Sequence, residues 1–214
     1  SGGADSGLRA GLAERPGPVR PGRARPARGS RSGSELARRA RRLGPEDPPG
    51  RIPPAVREFS GSLSGSGRRI GVVVARFHGQ VAKRLLEGCL DALQKNGVPE
   101  DAITVVSVPG AFEVPLAAQR LAESGACDAI VAIGAIVRGE TEHFDLIARE
   151  CARGCAEVAR ETSVPVAFEV LACESMEDAL ARAGGAKGNR GFDAGLVALR
   201  MANLLREIPA RGRG

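Results

Sequence analysis

The residues GAIVRGETEHFD, at positions 134–145, contain the junction between two different patterns in the sequence. They begin inside an apolar run, 129–137, that is typical of a buried β-strand. They end inside a helical pattern that extends from 143 to 162. A strand that leads through a short turn into a long helix is the unit from which α/β proteins with parallel sheets are built.

The turn between this strand and this helix has the features of an anion site. The backbone N–H groups of Gly139, Glu140 and Thr141 lie before the first helical turn, where no helical carbonyl can accept from them. The positive end of the helix dipole increases their attraction for a phosphate. His143, one of only two histidines in the chain, follows in the first turn. The turn therefore indicates chemistry on a small phosphorylated molecule, although a histidine at a helix start is also common on an ordinary surface.

The patterns on either side of this unit predict three more strands and four more helices. The predicted strands are 69–75, 103–108 and 165–172. The predicted helices are 81–97, 115–125, 175–184 and 192–207. Strands that alternate with helices imply right-handed βαβ units and a parallel sheet with helices on both faces.

The basic charge of the chain is concentrated before the predicted sheet. Residues 1–70 carry 15 Arg and 6 Asp or Glu, a net +9, whereas 71–214 carry 16 Lys or Arg and 19 Asp or Glu, a net −3. Residues 1–55 contain few large apolar side chains, so we predict a disordered tail, because burial cannot offset its ordering entropy. Its Arg-rich, acid-poor composition is typical of an organelle transit peptide, with a plain basic tail or a nucleic-acid arm as alternatives. The predicted folded domain is 56–208, followed by a flexible tail at 209–214.

The composition of the folded part argues against several classes of function. It is slightly acidic and has no Trp or Tyr, so no nucleic-acid partner is predicted. Five scattered cysteines without a CxxC pair predict buried thiols in a reducing compartment. Two histidines without a matching ligand pair predict no metal site. The longest apolar run, about nine residues, is far short of the roughly 20 needed to cross a bilayer, so no membrane partner is predicted.

In an open parallel sheet the ligand binds beyond the carboxyl ends of the strands, and this rule nominates a pocket. Phenylalanines occur at these junctions, where their rings would either stack on a flat heterocycle or plug the core: Phe77, Phe112, Phe144, Phe168 and Phe192. Glu113 would either accept hydrogen bonds from a polyol or cap the next helix. Arg182 would either clamp a phosphate or remain solvated. The residues alone thus predict a flat heterocycle plus a phosphate in a parallel-sheet enzyme.

Five motifs taken together resemble a known family. They are ARFHGQVAKRLLEGCLDAL (75–93), VPGAFEVP (108–115), GAIVRGETEHFD (134–145), PVAFEVL (165–171) and RAGGAKGNRGFDA (182–194). Their order and spacing resemble lumazine synthase, the penultimate enzyme of riboflavin biosynthesis, over residues 56–208. The stretch VREFSGSLSGSGRRIGVVVARF, 56–77, is similar to the plastid enzymes of plants and algae. This favours a transit peptide and a chloroplast location, whereas a tail without that role would leave the protein cytoplasmic.

The resemblance implies a flavodoxin-like three-layer αβα sandwich with a four-stranded parallel sheet. It implies a homopentamer with active sites between subunits, with or without assembly into a 60-subunit capsid. Residues 57–63 are expected to add a strand to a neighbouring subunit's sheet. The implied reaction condenses 5-amino-6-(D-ribitylamino)uracil with 3,4-dihydroxy-2-butanone 4-phosphate to 6,7-dimethyl-8-ribityllumazine, phosphate and water. It needs no metal and no organic cofactor.

The resemblance also implies a role for each matching residue. His143 is expected to be the proton donor and acceptor. The residues expected to bind the ribitylaminouracil are Phe77, Ala111, Phe112, Glu113, Ala135, Ile136, Val137 and, from a neighbouring subunit, Phe168. The residues expected to bind the butanone phosphate are Glu140 and Thr141, through their backbone N–H groups, and Arg182.

Four positions depart from the common pattern of the family. His78 replaces Asn, Glu142 replaces a neutral residue, Glu169 replaces Gly, and Ala186 occupies the usual Lys position. The departures at His78 and Ala186 keep open the alternative that the protein is a catalytically decayed relative that forms shells or binds flavin. A flavodoxin-like electron carrier is a second alternative, but such carriers commonly stack a Trp or Tyr on the flavin.

Overall fold

A four-stranded parallel β-sheet lies at the centre of the described part of the chain, residues 55–209 of a computed structural model. The strands, in chain order, are β1 (Ile70–Ala75), β2 (Ile103–Val108), β3 (Ala129–Val137) and β4 (Val166–Cys173). Their order in the sheet is β2-β1-β3-β4, and Ile70 pairs with Ile103 on one side and with Ala129 on the other. The predicted tails lie outside the described residues, except for 55 and 209 themselves, and the domain limits remain predictions.

Helices cover both faces of this sheet. In the described residues they are α1 (Gly79–Lys95), α2 (Val114–Glu123), α3 (His143–Thr162), α4 (Met176–Arg182) and α5 (Arg190–Glu207). Helices α1, α4 and α5 pack on one face, and α2 and α3 pack on the other. The predicted α/β class, with three layers and four parallel strands, is confirmed.

The two-sided core explains why β1 is apolar throughout. All six residues of β1 are buried. Val72 and Val74 belong to the core under α1 and α5, whereas Val73 and Ala75 belong to the core under α2 and α3. Successive side chains of a strand point to opposite faces, so a strand covered by helices on both sides cannot alternate apolar with polar residues.

The glycine-rich break before the last helix is more regular than predicted. It forms an antiparallel hairpin of β5 (Ala183–Gly185) and β6 (Gly188–Asn189). The Oδ1 atom of Asn189 then accepts a hydrogen bond from the N–H of Gly191 at 2.9 Å. Because this side chain caps the helix, α5 begins at Arg190, two residues before the predicted start.

The segment before β1, residues 55–69, contains no helix or strand and is held by a buried amide. Asn203 on α5 is 5% exposed, and its Nδ2 donates to the carbonyls of Ser62 and Ser64, both at 2.9 Å. Its Oδ1 accepts from Nε of Arg68 at 2.7 Å. These bonds define the path of the chain into β1, and pairing of residues 57–63 with a neighbouring subunit remains a prediction.

All five cysteines are buried and free of disulfides, as predicted: Cys89, Cys127, Cys151, Cys155 and Cys173. Burial raises the pKa of the Cys89 thiol to about 12. In the described part of the chain, no helix combines the length and apolarity needed to cross a membrane.

Candidate functional site

A cavity of about 620 Å³ opens beyond the carboxyl ends of β1, β2 and β3. Nine of the twelve predicted site residues line it: Phe77, Ala111, Phe112, Glu113, Ala135, Ile136, Val137, Thr141 and His143. Neighbouring parallel strands end at one edge of a sheet, which is why residues distant in sequence line the same cavity. Ile147 lines it as well, although the sequence interpretation did not assign it to the pocket. His78 and Phe144, which that interpretation placed at the strand ends without a specific role, also line it.

Residues 139–142, here called the amide segment, connect β3 to α3. Among the hydrogen bonds of the described chain, none has a backbone N–H of this segment as its donor. The N–H of His143 reaches Oγ1 of Thr141 only at 3.4 Å, which is a weak contact. Helical bonding begins where the carbonyl of Glu142 accepts from the N–H of Asp145 at 3.1 Å. The segment therefore presents several open donors at a helix N-terminus, which suits a phosphate.

Arg138, at the end of β3, holds the start of α3, and the sequence interpretation missed it. Its NH1 and NH2 donate to the two carboxylate oxygens of Asp145 at 3.0 and 3.3 Å. Its Nε donates to Glu174 at 2.7 Å, and its guanidinium carbon lies 4.1 Å from the ring centroid of Phe144. The hydrogen bonds from Arg138 hold the pKa of the Asp145 carboxyl below its ordinary value. No local pattern links Arg138 with Glu174, because the two residues meet only through the pairing of β3 with β4.

Two aromatic side chains stand exposed at the mouth of the cavity. Phe77 is 66% exposed and Phe112 is 59% exposed. The ring of His78 meets that of Phe77 edge to face, with centroids 4.7 Å apart and planes at 74°. His78 has φ 56°, in the left-handed region that favours glycine, Asn, Asp and His among the amino acids. The departure from Asn to His at this position therefore preserves a residue suited to the turn that starts α1. Burial lowers the pKa of the His78 imidazole.

Glu113 both caps a turn and lines the cavity. One of its carboxylate oxygens, Oε2, accepts from the N–H of Gly110 at 2.9 Å. This bond holds the turn that follows β2 and fixes the direction of the side chain. The capping role that the sequence left open is therefore present, and the carboxylate remains available beside the pocket.

Phe168 and Arg182 do not line the cavity of their own chain, nor does Glu140 of the amide segment. Phe168 projects from β4 and is 39% exposed. NH1 of Arg182 donates to the carbonyl and to Oδ1 of Asp178, both at 2.9 Å. Nζ of Lys187, next to Ala186, reaches the same Oδ1 at 3.1 Å. The hydrogen bonds from these two cations hold the pKa of the Asp178 carboxyl below its ordinary value.

Glu169 lies on β4 beside Phe168 but outside the lining of the cavity. Its side chain is 13% exposed, and one of its oxygens is 3.6 Å from Nε of Arg190. Burial raises the pKa of this carboxyl to about 7, against the opposing effect of the nearby guanidinium. The departure from Gly thus places a titratable group between β4 and α5.

Two findings concern the class of protein: whether the described residues could bind a metal ion, and which family model the sequence matches. Within residues 55–209, no three His, Cys, Asp or Glu side chains come together in a way that could hold a metal ion. A protein-family model described as 6,7-dimethyl-8-ribityllumazine synthase matches residues 67–206, which is 140 of the 214 residues. The match covers β1 through nearly the whole of α5, and therefore every residue that lines the cavity.

Proposed function

The chain belongs to the 6,7-dimethyl-8-ribityllumazine synthase family, a transferase family of riboflavin biosynthesis, and we propose that it catalyses the reaction for which the family is named. The substrates are 5-amino-6-(D-ribitylamino)uracil and 3,4-dihydroxy-2-butanone 4-phosphate. The products are 6,7-dimethyl-8-ribityllumazine, phosphate and water. The family resemblance implies that neither a metal nor an organic cofactor takes part.

The observation that carries this proposal is that His143 and two residues of the open amide segment, Gly139 and Thr141, line one largely apolar cavity. Schiff-base formation, phosphate elimination and ring closure need positioned reactants and a proton carrier more than a strong nucleophile. The N–H groups of 139–142 would bind the phosphate as it enters and stabilise it as it leaves. His143, in the adjoining turn, would take and return protons at the carbon chain held beside it.

The ribitylaminouracil would occupy the side of the cavity formed by the ends of β1, β2 and β3. Phe77 offers an exposed ring face for the flat pyrimidine. The backbone of 135–137 runs along the edge of that position and can hydrogen-bond to the polar edge of the ring. The Glu113 carboxylate, oriented by its bond to the N–H of Gly110, would accept hydrogen bonds from the ribityl hydroxyls.

The proposal includes a homopentamer in which a neighbouring copy completes each site. The absence of Phe168 and Arg182 from the lining of their own chain's cavity supports this arrangement. So does the exposure of Phe77 and Phe112, because a second copy would cover apolar surface that one copy leaves in solvent. Light scattering on the purified protein tests the pentamer, and a mass about twelve times larger would indicate a 60-subunit capsid.

A direct assay tests the proposed reaction. Purified protein is mixed with both substrates, and formation of the lumazine is followed by its fluorescence, with protein lacking either substrate as the control. Turnover supports the proposal. Binding of lumazine or riboflavin without turnover would instead support the decayed relative, for which the departures at His78 and Ala186 are the argument.

Residues 1–55 are proposed to direct the protein to a chloroplast and to be removed there. Their composition, with 12 of the 31 basic residues of the chain, supports a targeting role. Fusion of this segment to a fluorescent protein tests the proposal, and a fusion that stays in the cytosol would contradict it. Deletion of the same segment is expected to leave the activity nearly unchanged.

A further inference from the structure

Arg138 forms a closed loop around the amide segment. Its backbone lies immediately before residues 139–142, and its side chain returns to the first turn of α3 just after them. There the guanidinium makes a two-pronged contact with Asp145 at 3.0 and 3.3 Å and covers the ring of Phe144 at 4.1 Å. Five residues lie between Arg138 and Phe144, namely the four of the amide segment and His143.

A third contact ties this loop to the sheet. Nε of Arg138 donates to Glu174 at 2.7 Å, and the N–H of Arg138 donates to the carbonyl of Cys173 at 2.9 Å. Both partners lie at the end of β4. These contacts fix Arg138 both to α3 and to β4, although none of the four backbone N–H groups of the amide segment has a partner.

The charges show that the guanidinium does not act as an anion-binding group. Two carboxylates, Asp145 and Glu174, pair with this one cation, so its positive charge is already offset within the cluster. Each of the three guanidinium nitrogens donates to one of these carboxylates. The cluster therefore affects the neighbouring site by fixing the positions of its residues, and not by attracting the phosphate.

We propose that Arg138 is a positioning residue, which holds the open N–H groups of 139–142 and the His143 side chain in the arrangement that a phosphorylated substrate requires. This inference rests on the proposed function, because that proposal assigns the phosphate and the proton transfer to these residues. Open backbone donors bind an anion well only when they are already directed at one point, since ordering them costs entropy at the time of binding. The side-chain closure removes that cost without occupying any of the donors.

The test uses the full chain with Arg138→Gln, Arg138→Lys and Asp145→Asn. The matched control is Arg69→Gln, because Arg69 also joins a carboxylate and a carbonyl, Asp128 at 3.3 Å and Gly125 at 2.8 Å, but at the opposite end of the sheet. Three quantities are measured: amide hydrogen exchange of 138–146, affinity for inorganic phosphate, and kcat with the KM of each substrate.

We expect Arg138→Gln to speed exchange in 138–146 and to lower kcat by about 10- to 100-fold, as for a misplaced catalytic group. Phosphate affinity should fall, and the KM for the butanone phosphate should rise, while the KM for the ribitylaminouracil stays nearly unchanged. Arg138→Lys should restore part of the activity, and Arg69→Gln should change none of the three quantities. Should Arg138→Gln fail to fold, Asp145→Asn provides the same readouts, because it removes one anchor and leaves the other two.

Removal of a negative charge distinguishes positioning from electrostatics. In Glu174→Gln the cluster loses one negative charge, so an electrostatic role predicts tighter phosphate binding. A positioning role predicts unchanged or weaker binding together with faster exchange. Unchanged exchange in both Arg138→Gln and Asp145→Asn, or faster exchange with full phosphate affinity and full kcat, would overturn the inference. If the wild-type protein makes no lumazine, the proposed function fails, whereas exchange and phosphate affinity still decide the role of Arg138.

Discussion

The two ends of the parallel sheet differ in whether their backbone polar groups are hydrogen-bonded. At the entry end, where β1 and β3 begin, the N–H of Arg69 donates to Oδ2 of Asp128 at 2.9 Å. The N–H of Asp128 donates back to the carbonyl of Arg69 at 2.7 Å, and NH1 of Arg69 donates to the carbonyl of Gly125 at 2.8 Å. At the exit end, the strands lead into the cavity, and the N–H groups of residues 139–142 remain open.

An arginine side chain binds a carboxylate at each end, Asp128 for Arg69 and Asp145 for Arg138, but the backbone groups beside the two arginines differ. Arg69 donates to a carbonyl of the turn beside it, that of Gly125, whereas Arg138 lies next to backbone donors that it leaves unsatisfied. The capacity to bind an anion thus lies where rigid contacts surround unpaired donors, whereas rigid contacts with paired donors contribute only to stability. Substitutions at the exit end should therefore affect catalysis, and those at the entry end should affect the free energy of unfolding.

The largest effect is expected at His143, in the exit end. His143→Ala should lower kcat by roughly 10² to 10⁴-fold, the usual contribution of general acid–base assistance, while substrate positioning survives. The melting temperature should barely change, because the side chain is exposed and packs in neither core. Steady-state kinetics and thermal unfolding measure both quantities. Full turnover at saturating substrate would remove His143 from its proposed role.

The second largest effect is expected at Arg182. Its substitution tests whether a residue that does not line the cavity of its own chain binds the phosphate at the exit end. Arg182→Ser should weaken binding of the butanone phosphate by about 2–4 kcal/mol. Arg182→Lys keeps the positive charge but loses the planar guanidinium that can donate two hydrogen bonds to a phosphate, so it should weaken binding less. The KM of the ribitylaminouracil should stay the same, because that substrate carries no phosphate. Kinetics with each substrate varied separately provide the test, with Arg120→Ser on the outer face of α2 as a matched control. An equal loss for both substrates would indicate a structural role at the subunit interface.

Asn203 provides the matching test at the entry end. Asn203→Ala removes an amide that joins α5 to Ser62, Ser64 and Arg68, and should lower the free energy of unfolding by about 2 kcal/mol. The kcat of the folded protein should stay unchanged, because no bond of Asn203 reaches the cavity. Denaturant unfolding and kinetics on the same preparation measure the two quantities. A loss of activity at full stability would break the proposed division between the two ends.

The smallest effect concerns Glu169, which lies at neither end. Its folded pKa of about 7 exceeds the ordinary value of 4.5, so the folded state binds more protons than the unfolded chain between these two pH values. The free energy of unfolding should therefore fall as pH rises from about 4.5 to about 7, by on the order of 1 kcal/mol after solvent screening. Glu169→Gln should remove most of this fall, while the exposed control Glu123→Gln should not. Unfolding curves at pH 5 and pH 8 give the difference.

Several elements of the fold followed from local pattern alone. The observed bounds of β2, β3 and α3 equal the predicted 103–108, 129–137 and 143–162. Burial on both faces gives β3 its unbroken apolar run, and the 20-residue α3 has the length at which helical periodicity is clear. The hairpin of β5 and β6 was missed because its strands have only three and two residues, too few to show a period.

The class of the fold, the family and most of the residues that line the cavity could be predicted from the sequence. These depend on period, on composition and on motifs that stay contiguous along the chain. Only the tertiary structure brought Arg138 to Glu174, 36 residues away, and Asn203 to Ser62, 141 residues away. It also separated Phe168 and Arg182 from the cavity of their own chain. The physical reason is that such partnerships depend on strand register and on the rotation of each helix against the sheet, which are properties of the packed whole and leave no local pattern in the sequence.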